Sequence, residues 1–214
     1  MKKVYFKDRH DAALQLKEQL PLERVKSETW HLVAVSSGGL ALAEQMNARL
    51  KLPIDFLFTE AIYAPQNSEC EIARVSETEE IVMIDSLVDS FDIQVDYIYG
   101  EASRKHEEKI LSKVYRYRKG RHFELMHGKV VMLIDEGCET GLKMMTAIKT
   151  IMAMRPKAVY IAVPVLPLDV LESLEPLVDD VFYIQDIEDF VQTTSYYSSL
   201  EEIGENKIEA ILGE

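Results

Sequence analysis

One stretch, residues 129–143, constrains the fold more than any other part of the sequence. An apolar run, Val130–Ile134, ends abruptly in two adjacent carboxylates, Asp135 and Glu136. A glycine-containing turn follows, and then a helical pattern whose apolar side is formed by Met144, Met145, Ile148, Ile151 and Met152. This order predicts a buried parallel strand, a tight loop at its carboxyl end and a helix that begins near Thr140. In open α/β sheets, ligands bind at such a corner.

The residue types around the predicted loop suit a phosphorylated sugar. Backbone N–H groups of residues 137–142 are expected to point into the loop, and the start of the following helix adds a partial positive charge. Together they favour a phosphate. Asp135 and Glu136 carry groups that only accept hydrogen bonds, so they suit sugar hydroxyls or a hydrated Mg²⁺ ion. A phosphate at the loop and a polyhydroxyl ring at the carboxylates describe a ribose 5-phosphate.

The stretch resembles the phosphoribosyl pyrophosphate (PRPP) motif of the type I phosphoribosyltransferases, which has an apolar strand, two acidic residues, a short loop, Thr-Gly and a helix. Asp135-Glu136 match the acidic pair, and Thr140-Gly141 match the phosphate-loop pair. Glu139 stands where the family usually has a small residue, and Lys143 stands where it has a threonine. A plain strand–turn–helix, in which Glu139 only complements the helix dipole, is the alternative.

The resemblance implies a Mg²⁺-dependent transfer of phosphoribose from PRPP to a nitrogen acceptor, with release of pyrophosphate. Asp135 and Glu136 are then the catalytic residues, which hold the ribose hydroxyls and favour positive charge on the ring. PRPP itself would hold most of the Mg²⁺ coordination, with Asp135 or Glu136 as candidate protein ligands. The substrate-binding residues of this loop are Gly137, Cys138, Glu139, Thr140, Gly141, Leu142 and Lys143.

A second unit of strand, loop and helix lies earlier in the chain. Residues 30–35 form a short apolar run, Ser36-Ser37-Gly38-Gly39 follows, and a helix is predicted over residues 40–50. The resemblance makes these four loop residues substrate-binding, as a contact to the pyrophosphate. The most similar subgroup, predicted bacterial phosphoribosyltransferases of unassigned substrate, has Pro-Arg-Gly-Gly there, so its arginine is absent here. A serine–glycine turn without a ligand is the alternative.

Residues 64–75 resemble another segment of the same subgroup, and the matching residues are Pro65, Asn67, Glu69, Ile72 and Val75. The basic pair that precedes this segment in the subgroup corresponds here to Glu60 and Ala61, so a second positive site is absent. Arg74 stands where the subgroup has a small residue. It either restores one charge or is a solvated surface arginine.

Residues 101–118 are predicted to form a charged helix within the one basic region of the chain. The basic residues there are Arg104, Lys105, Lys109, Lys113, Arg116, Arg118, Lys119 and Arg121. Most of these charges are expected to lie on a solvated face, paired with glutamates. Because the family has a mobile flap before the PRPP strand, the resemblance makes residues 85–127 a flap or helical insertion that delivers basic groups to pyrophosphate.

The remaining pattern predicts alternating helices and strands. Helices are expected over residues 8–20 and 168–174, and strands over residues 53–58, 81–84, 158–163 and 180–184, with Pro164 and Pro167 closing the third of these strands. The predicted class is α/β, an open, mainly parallel sheet with helices on both faces. The resemblance makes this the type I phosphoribosyltransferase fold, as one domain over residues 1–214.

A C-terminal tail over residues 190–214 resembles the aromatic terminus of the subgroup. Tyr196 or Tyr197 either stacks on a ring acceptor or packs against the protein. Cys138, in the predicted loop, is either a small apolar filler or a nucleophile whose pKa the helix start lowers.

Composition narrows the partners. The 214 residues carry a net charge of −13, which argues against nucleic acid and against an anionic membrane. No apolar run is long enough to span a bilayer, and two cysteines form no disulfide framework. The sequence therefore predicts a cytoplasmic protein whose partner is a small molecule, PRPP or another ribose phosphate. Self-association as a homodimer is in keeping with this fold.

The missing basic groups support a second hypothesis, in which the fold persists without transferase activity. Ser37, Glu60 and Ala61 occupy positions that are basic in the subgroup. Glu139 places a carboxylate in the anion loop, where it would compete with phosphate. Lys143 lies one helical turn further on, and it either pairs with Glu139 or reaches the phosphate itself. Such a protein would be a nucleotide- or phosphosugar-binding module or a regulatory module.

Overall fold

Strands and helices alternate along most of the chain, of which the structure, a computed structural model, describes residues 4–213. The strands are β1 (Trp30–Ala34), β2 (Ile54–Phe56), β3 (Thr59–Ala64), β4 (Asn67–Ser76), β5 (Ile81–Met83), β6 (Val130–Ile134), β7 (Ala158–Pro167) and β8 (Asp180–Ile187). The helices are α1 (Arg9–Gln19), α2 (Leu22–Ser27), α3 (Ser37–Asn47), α4 (Asp85–Ser90), α5 (Val95–Lys105), α6 (Leu111–Arg118), α7 (Leu142–Ala153), α8 (Leu168–Leu174) and α9 (Glu205–Leu212).

Within the described residues, the larger sheet has five strands in the order β2-β1-β6-β7-β8. Every neighbouring pair in it is parallel. The predicted open, mainly parallel sheet is therefore confirmed. Because β1 and β6 are direct neighbours, the loops that follow them leave the same edge of the sheet side by side.

As predicted, helices cover both faces of the parallel sheet. Successive side chains of a strand point to opposite faces, so the sheet contributes to a core on each side. One core joins β1 and β6 to α1 and α3, and it includes Trp30, Leu32, Met132, Leu16 and Met46. The core on the other face joins the same strands to α7 and α8, and it includes Val33, Leu133, Ile148 and Leu174. Met152, which was expected on the apolar side of α7, is instead 51% exposed.

Strands β3, β4 and β5 form a separate antiparallel sheet. The prediction that strands alternate with helices throughout is wrong for this part, because short turns between consecutive strands connect antiparallel neighbours. Helices α4, α5 and α6 pack on this sheet around a core that includes Phe58, Ile72, Val88, Ile98 and Val114. We call this unit, residues 59–118, the hood.

Strand β7 continues through Pro164, which was expected to end it, and ends at the second proline, Pro167. Beyond Ala162 it pairs with β8 alone, since its pairing with β6 ends at Ile134. A proline, which has no N–H, is tolerated where one side of a strand needs no ladder bond. The prediction that Pro164 closes the strand is therefore wrong.

The helices agree with the sequence in part. Helix α1, predicted over residues 8–20, starts after Asp8, whose carboxylate accepts a hydrogen bond from the Asp11 N–H at 2.9 Å. The predicted helix over residues 101–118 starts earlier, at Val95, and a π-helical turn, His106–Ile110, separates α5 from α6. Across residues 4–213, no helix is both long enough and apolar enough to cross a membrane.

Candidate functional site

The loops after β1 and β6 meet at the carboxyl edge of the parallel sheet. Ser36 caps α3, since its Oγ accepts a hydrogen bond from the Gly39 N–H at 2.9 Å. The same hydroxyl donates to Oδ1 of Asp135. Helix α3 thus begins at Ser37, three residues before the predicted start, because the serine supplies an N-cap. One serine side chain connects the two loops.

Two glycines of the first loop let the second loop approach. A Cβ atom on Gly39 would lie 2.4 Å from the carbonyl oxygen of Ile134, and one on Gly38 would lie 2.0 Å from Cδ of Glu136. Gly38 and Gly39 belong to α3 and not to the turn that the sequence predicts. Because glycine has no side chain at either position, the second loop can approach this closely.

A cavity of about 430 Å³ lies between the loops. Most of the predicted site residues line it: Ser36, Ser37, Gly38, Asp135, Glu136, Gly137, Cys138, Glu139, Thr140, Gly141 and Lys143. Gly39 and Leu142 are buried, and neither is among the residues that line the cavity. The sequence did not predict five other lining residues, which are Glu71, Met144, Thr193, Thr194 and Leu200, whereas Arg74, which also lines the cavity, was a candidate for restoring a charge.

Asp135 is held in one orientation. Its Oδ1 accepts hydrogen bonds from the Ser36 hydroxyl and, at 2.8 Å, from the Glu136 N–H. Its Oδ2 lies 3.7 Å from Nζ of Lys143. Asp135 is 5% exposed. These contacts fix the direction of its carboxylate, and the residue still lines the cavity.

Glu136, the second acidic residue, is neutralised by Arg9 of α1. Nε and Nη2 of Arg9 donate to Oε2 of Glu136 at 2.8 and 2.6 Å, and Nη2 also donates to the Glu201 carbonyl at 3.0 Å. Burial raises the pKa of the Glu136 carboxyl, and the Arg9 charge opposes this shift. The two predicted catalytic carboxylates are therefore unequal, because Glu136 already has a strong charge-assisted partner. The sequence did not indicate Arg9.

The loop between β6 and α7 only partly matches the predicted anion nest. The Cys138 N–H donates to the Val165 carbonyl at 3.1 Å, so this amide stabilises the loop and is not directed at a ligand. Burial raises the pKa of the Cys138 thiol to about 12. A buried thiol with this pKa is not a nucleophile near neutral pH, which supports the interpretation of Cys138 as an apolar filler. Helix α7 begins at Leu142, after Gly141 at φ +75°.

Glu139 holds the C-terminal segment against the loop. Its Oε1 accepts a hydrogen bond from the Thr193 N–H at 2.8 Å. The ion pair of Lys143 is formed with Asp135, so the predicted pairing of Glu139 with Lys143 is not the one that the structure has. Glu139 therefore holds Thr193, which lines the cavity together with Thr194. Its carboxylate is used in this contact and does not fill the loop.

Tyr196 and Tyr197 are packing residues. Both are buried, and the Tyr197 hydroxyl donates to the Glu136 carbonyl at 2.7 Å. The Tyr196 hydroxyl accepts from the Val191 N–H at 3.1 Å. Their rings pack against Phe190 and against Tyr5 and Phe6 near the other end of the chain. The alternative in which they stack on an acceptor ring does not describe this arrangement.

A second cavity, of about 410 Å³, adjoins the first and lies between the parallel sheet and the hood. Its aromatic lining consists of Phe56, Phe58, Tyr63 and Tyr117. Lys113 of α6 also lines it and pairs with Glu60, so one of the predicted flap cations does face a cavity. Other basic residues of that region are paired elsewhere with carboxylates, among them Arg104, Arg116 and Arg118.

A metal ion would find few protein ligands here. Among the side chains of residues 4–213, no group of three or more His, Cys, Asp or Glu is arranged to hold one. Asp135 and Glu136 are adjacent carboxylates that line the cavity, and one or two carboxylates are what Mg²⁺ needs when substrate phosphates supply its other ligands. The donor set thus fits an ion that arrives with its substrate.

The parallel sheet, the two loops at its carboxyl edge and the acidic pair between them define an α/β protein with a candidate ligand site at that edge. The family model of the phosphoribosyl transferase domain matches residues 7–199. The chain therefore belongs to the phosphoribosyl transferase family, in agreement with the resemblance seen at the PRPP motif.

Particular relatives support this membership. One relative is Rv0571c of Mycobacterium tuberculosis H37Rv, whose name describes an inferred phosphoribosyl transferase. It is 22% identical to this chain over 207 residues, which are 97% of this chain and 46% of the relative. The chain thus spans about half the length of that relative.

Solved structures show the same fold. The protein TT1426 from Thermus thermophilus has a TM-score of 0.77 and 27% identity, with 98% of both chains covered. A hypoxanthine phosphoribosyltransferase from Staphylococcus aureus has a TM-score of 0.51 and 13% identity, with 88% of this chain and 79% of that chain covered. The second likeness concerns the fold alone.

Proposed function

We propose that this protein is a phosphoribosyltransferase that binds PRPP and transfers phosphoribose to a nitrogen acceptor, with release of pyrophosphate. The observation that carries the proposal is Asp135, which stands where the two loops meet, oriented by Ser36 and faced by Lys143. A fixed carboxylate between the loop after β6 and a second cavity suits a ribose with a phosphate on one side and an acceptor on the other. Family membership supports the same substrate class.

The proposed chemistry needs positioning and electrostatics more than covalent help from the protein. The loop over residues 137–141 and the amino end of α7 would hold the 5-phosphate. Asp135 would accept hydrogen bonds from ribose hydroxyls and stabilise positive charge at C1. The C1–O bond breaks and its electron pair stays on the pyrophosphate oxygen, while the acceptor nitrogen bonds to C1 and then releases a proton.

Mg²⁺ is part of this proposal. When bound, it supplies positive charge that stabilises the leaving pyrophosphate. Asp135 or Glu136 would hold it on the protein side, and oxygens of the substrate and of water would complete its coordination. Lys143, at 3.7 Å from Asp135, offers a further positive charge on the same side of the cavity.

The second cavity is the proposed location of the acceptor. Its aromatic walls suit a flat ring, and it adjoins the first cavity through Ser36 and Ser37, which line both. Glu60, at this cavity, is able to orient an N–H group of an acceptor because a carboxylate only accepts hydrogen bonds. Which acceptor binds is left open by this lining.

Calorimetric titration with PRPP, with and without Mg²⁺, tests the donor. We expect micromolar binding that Mg²⁺ strengthens and that Asp135→Asn abolishes, since the substitution removes the charge that faces the ribose. Asp89→Asn, at an exposed residue of α4, is the control and should bind as the native protein does. The absence of PRPP binding to the native protein would overturn the proposal.

The alternative, a phosphosugar-binding module without transferase activity, has one observation in its favour. Glu136 is engaged by Arg9, so one of the two carboxylates that the PRPP motif supplies is already neutralised. Incubation of PRPP, Mg²⁺ and a panel of nitrogen acceptors separates the two functions. Release of pyrophosphate that depends on one acceptor supports the transferase, whereas binding without any release supports the module.

The cytoplasm is the proposed compartment, and two free thiols, Cys70 and Cys138, fit the reducing conditions there. The homodimer expected from the fold stays a prediction, which light scattering of the purified protein would test.

A further inference from the structure

Two cations stand on the wall that the two cavities share. Arg74 of β4 and Lys143 of α7 line both cavities, together with Ser36 and Ser37. A ligand that extends from the ribose-phosphate loop toward the hood must pass this wall. Lys143 belongs to α7 and faces Asp135. Arg74 is the cation that the hood contributes to the shared wall.

Arg74 is built into its place. It lies directly across from Ala61 of β3 in the antiparallel register, and the small alanine leaves space for its long side chain. Its side chain is 12% exposed. Nε donates to Oε1 of Glu71 at 2.7 Å, and Nη1 donates to the Thr59 hydroxyl at 2.9 Å. The sequence-based alternative of a solvated surface arginine is therefore wrong, because two hydrogen bonds and burial hold the guanidinium at the cavities.

We propose that Arg74 binds the diphosphate group of the donor substrate. This inference rests on the proposed function, which places the 5-phosphate at the loop after β6 and the ribose at Asp135. The diphosphate is attached at C1, away from the 5-phosphate, and Arg74 is the hood cation that lines the cavity of the ribose. A planar guanidinium recognises phosphate oxygens through paired N–H groups.

Arg74 would act on the leaving group as well as on affinity. When the C1–O bond breaks, its electron pair and the negative charge remain on the diphosphate. A cation fixed near that oxygen stabilises the charge as it develops, without reorganisation during the reaction. The position also explains how a chain with Ser37, Glu60 and Ala61 retains a positive charge at the hood, since Arg74 stands opposite one of them.

Glu71 competes with the proposed diphosphate for Arg74. It lines the first cavity and pairs with Arg74, so in the ligand-free protein it partly neutralises the charge that the diphosphate requires. A carboxylate in an anion site also repels the ligand. We therefore expect Glu71→Gln to tighten diphosphate binding while Arg74 stays in the cavity.

Calorimetry with ligands that differ in one group tests the proposal. The probes are PRPP with Mg²⁺, inorganic diphosphate with Mg²⁺, and ribose 5-phosphate, which has no diphosphate. Arg74→Gln should weaken the first two by about tenfold or more, as loss of a charge-assisted hydrogen bond does, and should leave ribose 5-phosphate affinity unchanged. Arg74→Lys should retain part of the affinity, because it keeps the positive charge but lacks the paired N–H groups of the guanidinium.

The matched control is Arg104→Gln. Arg104 makes the same kind of pair with a glutamate three residues before it, Glu101, but on an exposed helix face. This variant should bind all three probes as the native protein does. A thermal unfolding scan of each variant reports whether the hood remains folded.

The outcomes separate this inference from the proposed function. Native protein that binds neither PRPP nor ribose 5-phosphate overturns both. Native protein that binds both, combined with an Arg74→Gln variant that weakens neither or weakens both equally, overturns the role of Arg74 alone. If the Arg74 variants do not fold, Glu71→Gln decides: tighter diphosphate binding supports the inference, and unchanged or weaker binding overturns it.

Discussion

At the scale of single residues, Gly38 and Gly39 set the distance between the two loops of the site. The two positions face different obstacles. A side chain on Gly39 would meet the Ile134 carbonyl, which belongs to the central strand β6, whereas one on Gly38 would meet the carboxylate of Glu136. A strand carbonyl cannot move without moving its sheet. A carboxylate can rotate, but here it would lose its bonds to Arg9.

We therefore predict that Gly39→Ala destabilises the fold more than Gly38→Ala. Overpacking against a fixed backbone costs about 1–3 kcal/mol and occasionally more, and Gly39→Ala should lie at or above the upper end. Gly100→Ala is the control, because Gly100 lies within α5 and nothing stands within 4 Å of its added Cβ. That change should stabilise by about 0.5–1 kcal/mol. Urea unfolding measures all three variants, and equal effects at Gly38 and Gly39 would contradict the prediction.

At the scale of elements, helix α6 shows how a basic stretch becomes part of the structure. Arg118, at its end, is buried and pairs with Glu77, which follows β4. The guanidinium lies over the rings of Phe58 and Phe123, at 5.0 and 5.7 Å from their centroids. This arginine anchors α6 to the hood sheet, so it is not a mobile group that reaches the substrate.

Replacing Arg118 alone should lower the free energy of unfolding far more than replacing both Arg118 and Glu77. Arg118→Met leaves the Glu77 charge buried and unpaired, with an expected loss of about 3–5 kcal/mol. Burial raises the pKa of Glu77, so this carboxyl binds a proton more tightly in the folded protein than in the unfolded chain. The stability of Arg118→Met should therefore recover as pH falls through that raised pKa, and decline as pH rises through it.

The double variant Glu77→Leu/Arg118→Met tests the same pair, since replacing both charges with apolar groups is close to neutral. Chemical denaturation at several pH values measures the series. A double variant as unstable as Arg118→Met alone would show that the unpaired Glu77 charge does not determine the loss.

At the scale of the whole molecule, the site forms where the parallel sheet meets the hood. The loops after β1 and β6 supply one side of the first cavity, and Glu71 and Arg74 of β4 supply part of the other. The C-terminal segment closes a further side through the bond from Thr193 to Glu139. A ligand in this cavity contacts all three parts, so its binding energy couples them.

We predict that saturating PRPP with Mg²⁺ slows amide hydrogen exchange in β4 as well as in the loop after β6. At a free ligand concentration of about 100 times Kd, the expected stabilisation is about 2.7 kcal/mol. Exchange in α2, whose Val25 belongs to the core on the α1 face of the sheet, serves as the internal reference. Protection of the loop alone, with β4 unchanged, would show that the ligand does not reach the hood.

The local parts of the site could be predicted from sequence because they depend on neighbours along the chain. The strand ending in Asp135 and Glu136, the glycine loop and the following helix all come from patterns of a few residues. The same holds for the α/β class and for helix α8, whose predicted range over residues 168–174 is confirmed. The start of α3 was missed because the cap formed by Ser36 depends on the backbone conformation of the turn.

The sequence by itself determined the parallel sheet, the loop at its edge and the acidic pair, because short-range hydrophobic periodicity and turn chemistry specify them. The tertiary structure alone decided which charges share the cavity. Arg9 reaches Glu136 across 127 positions, Thr193 reaches Glu139 across 54, and Arg74 faces the site through its register with Ala61. Such pairings follow from how sheets and helices pack, and packing brings together residues whose distance along the chain carries no signal.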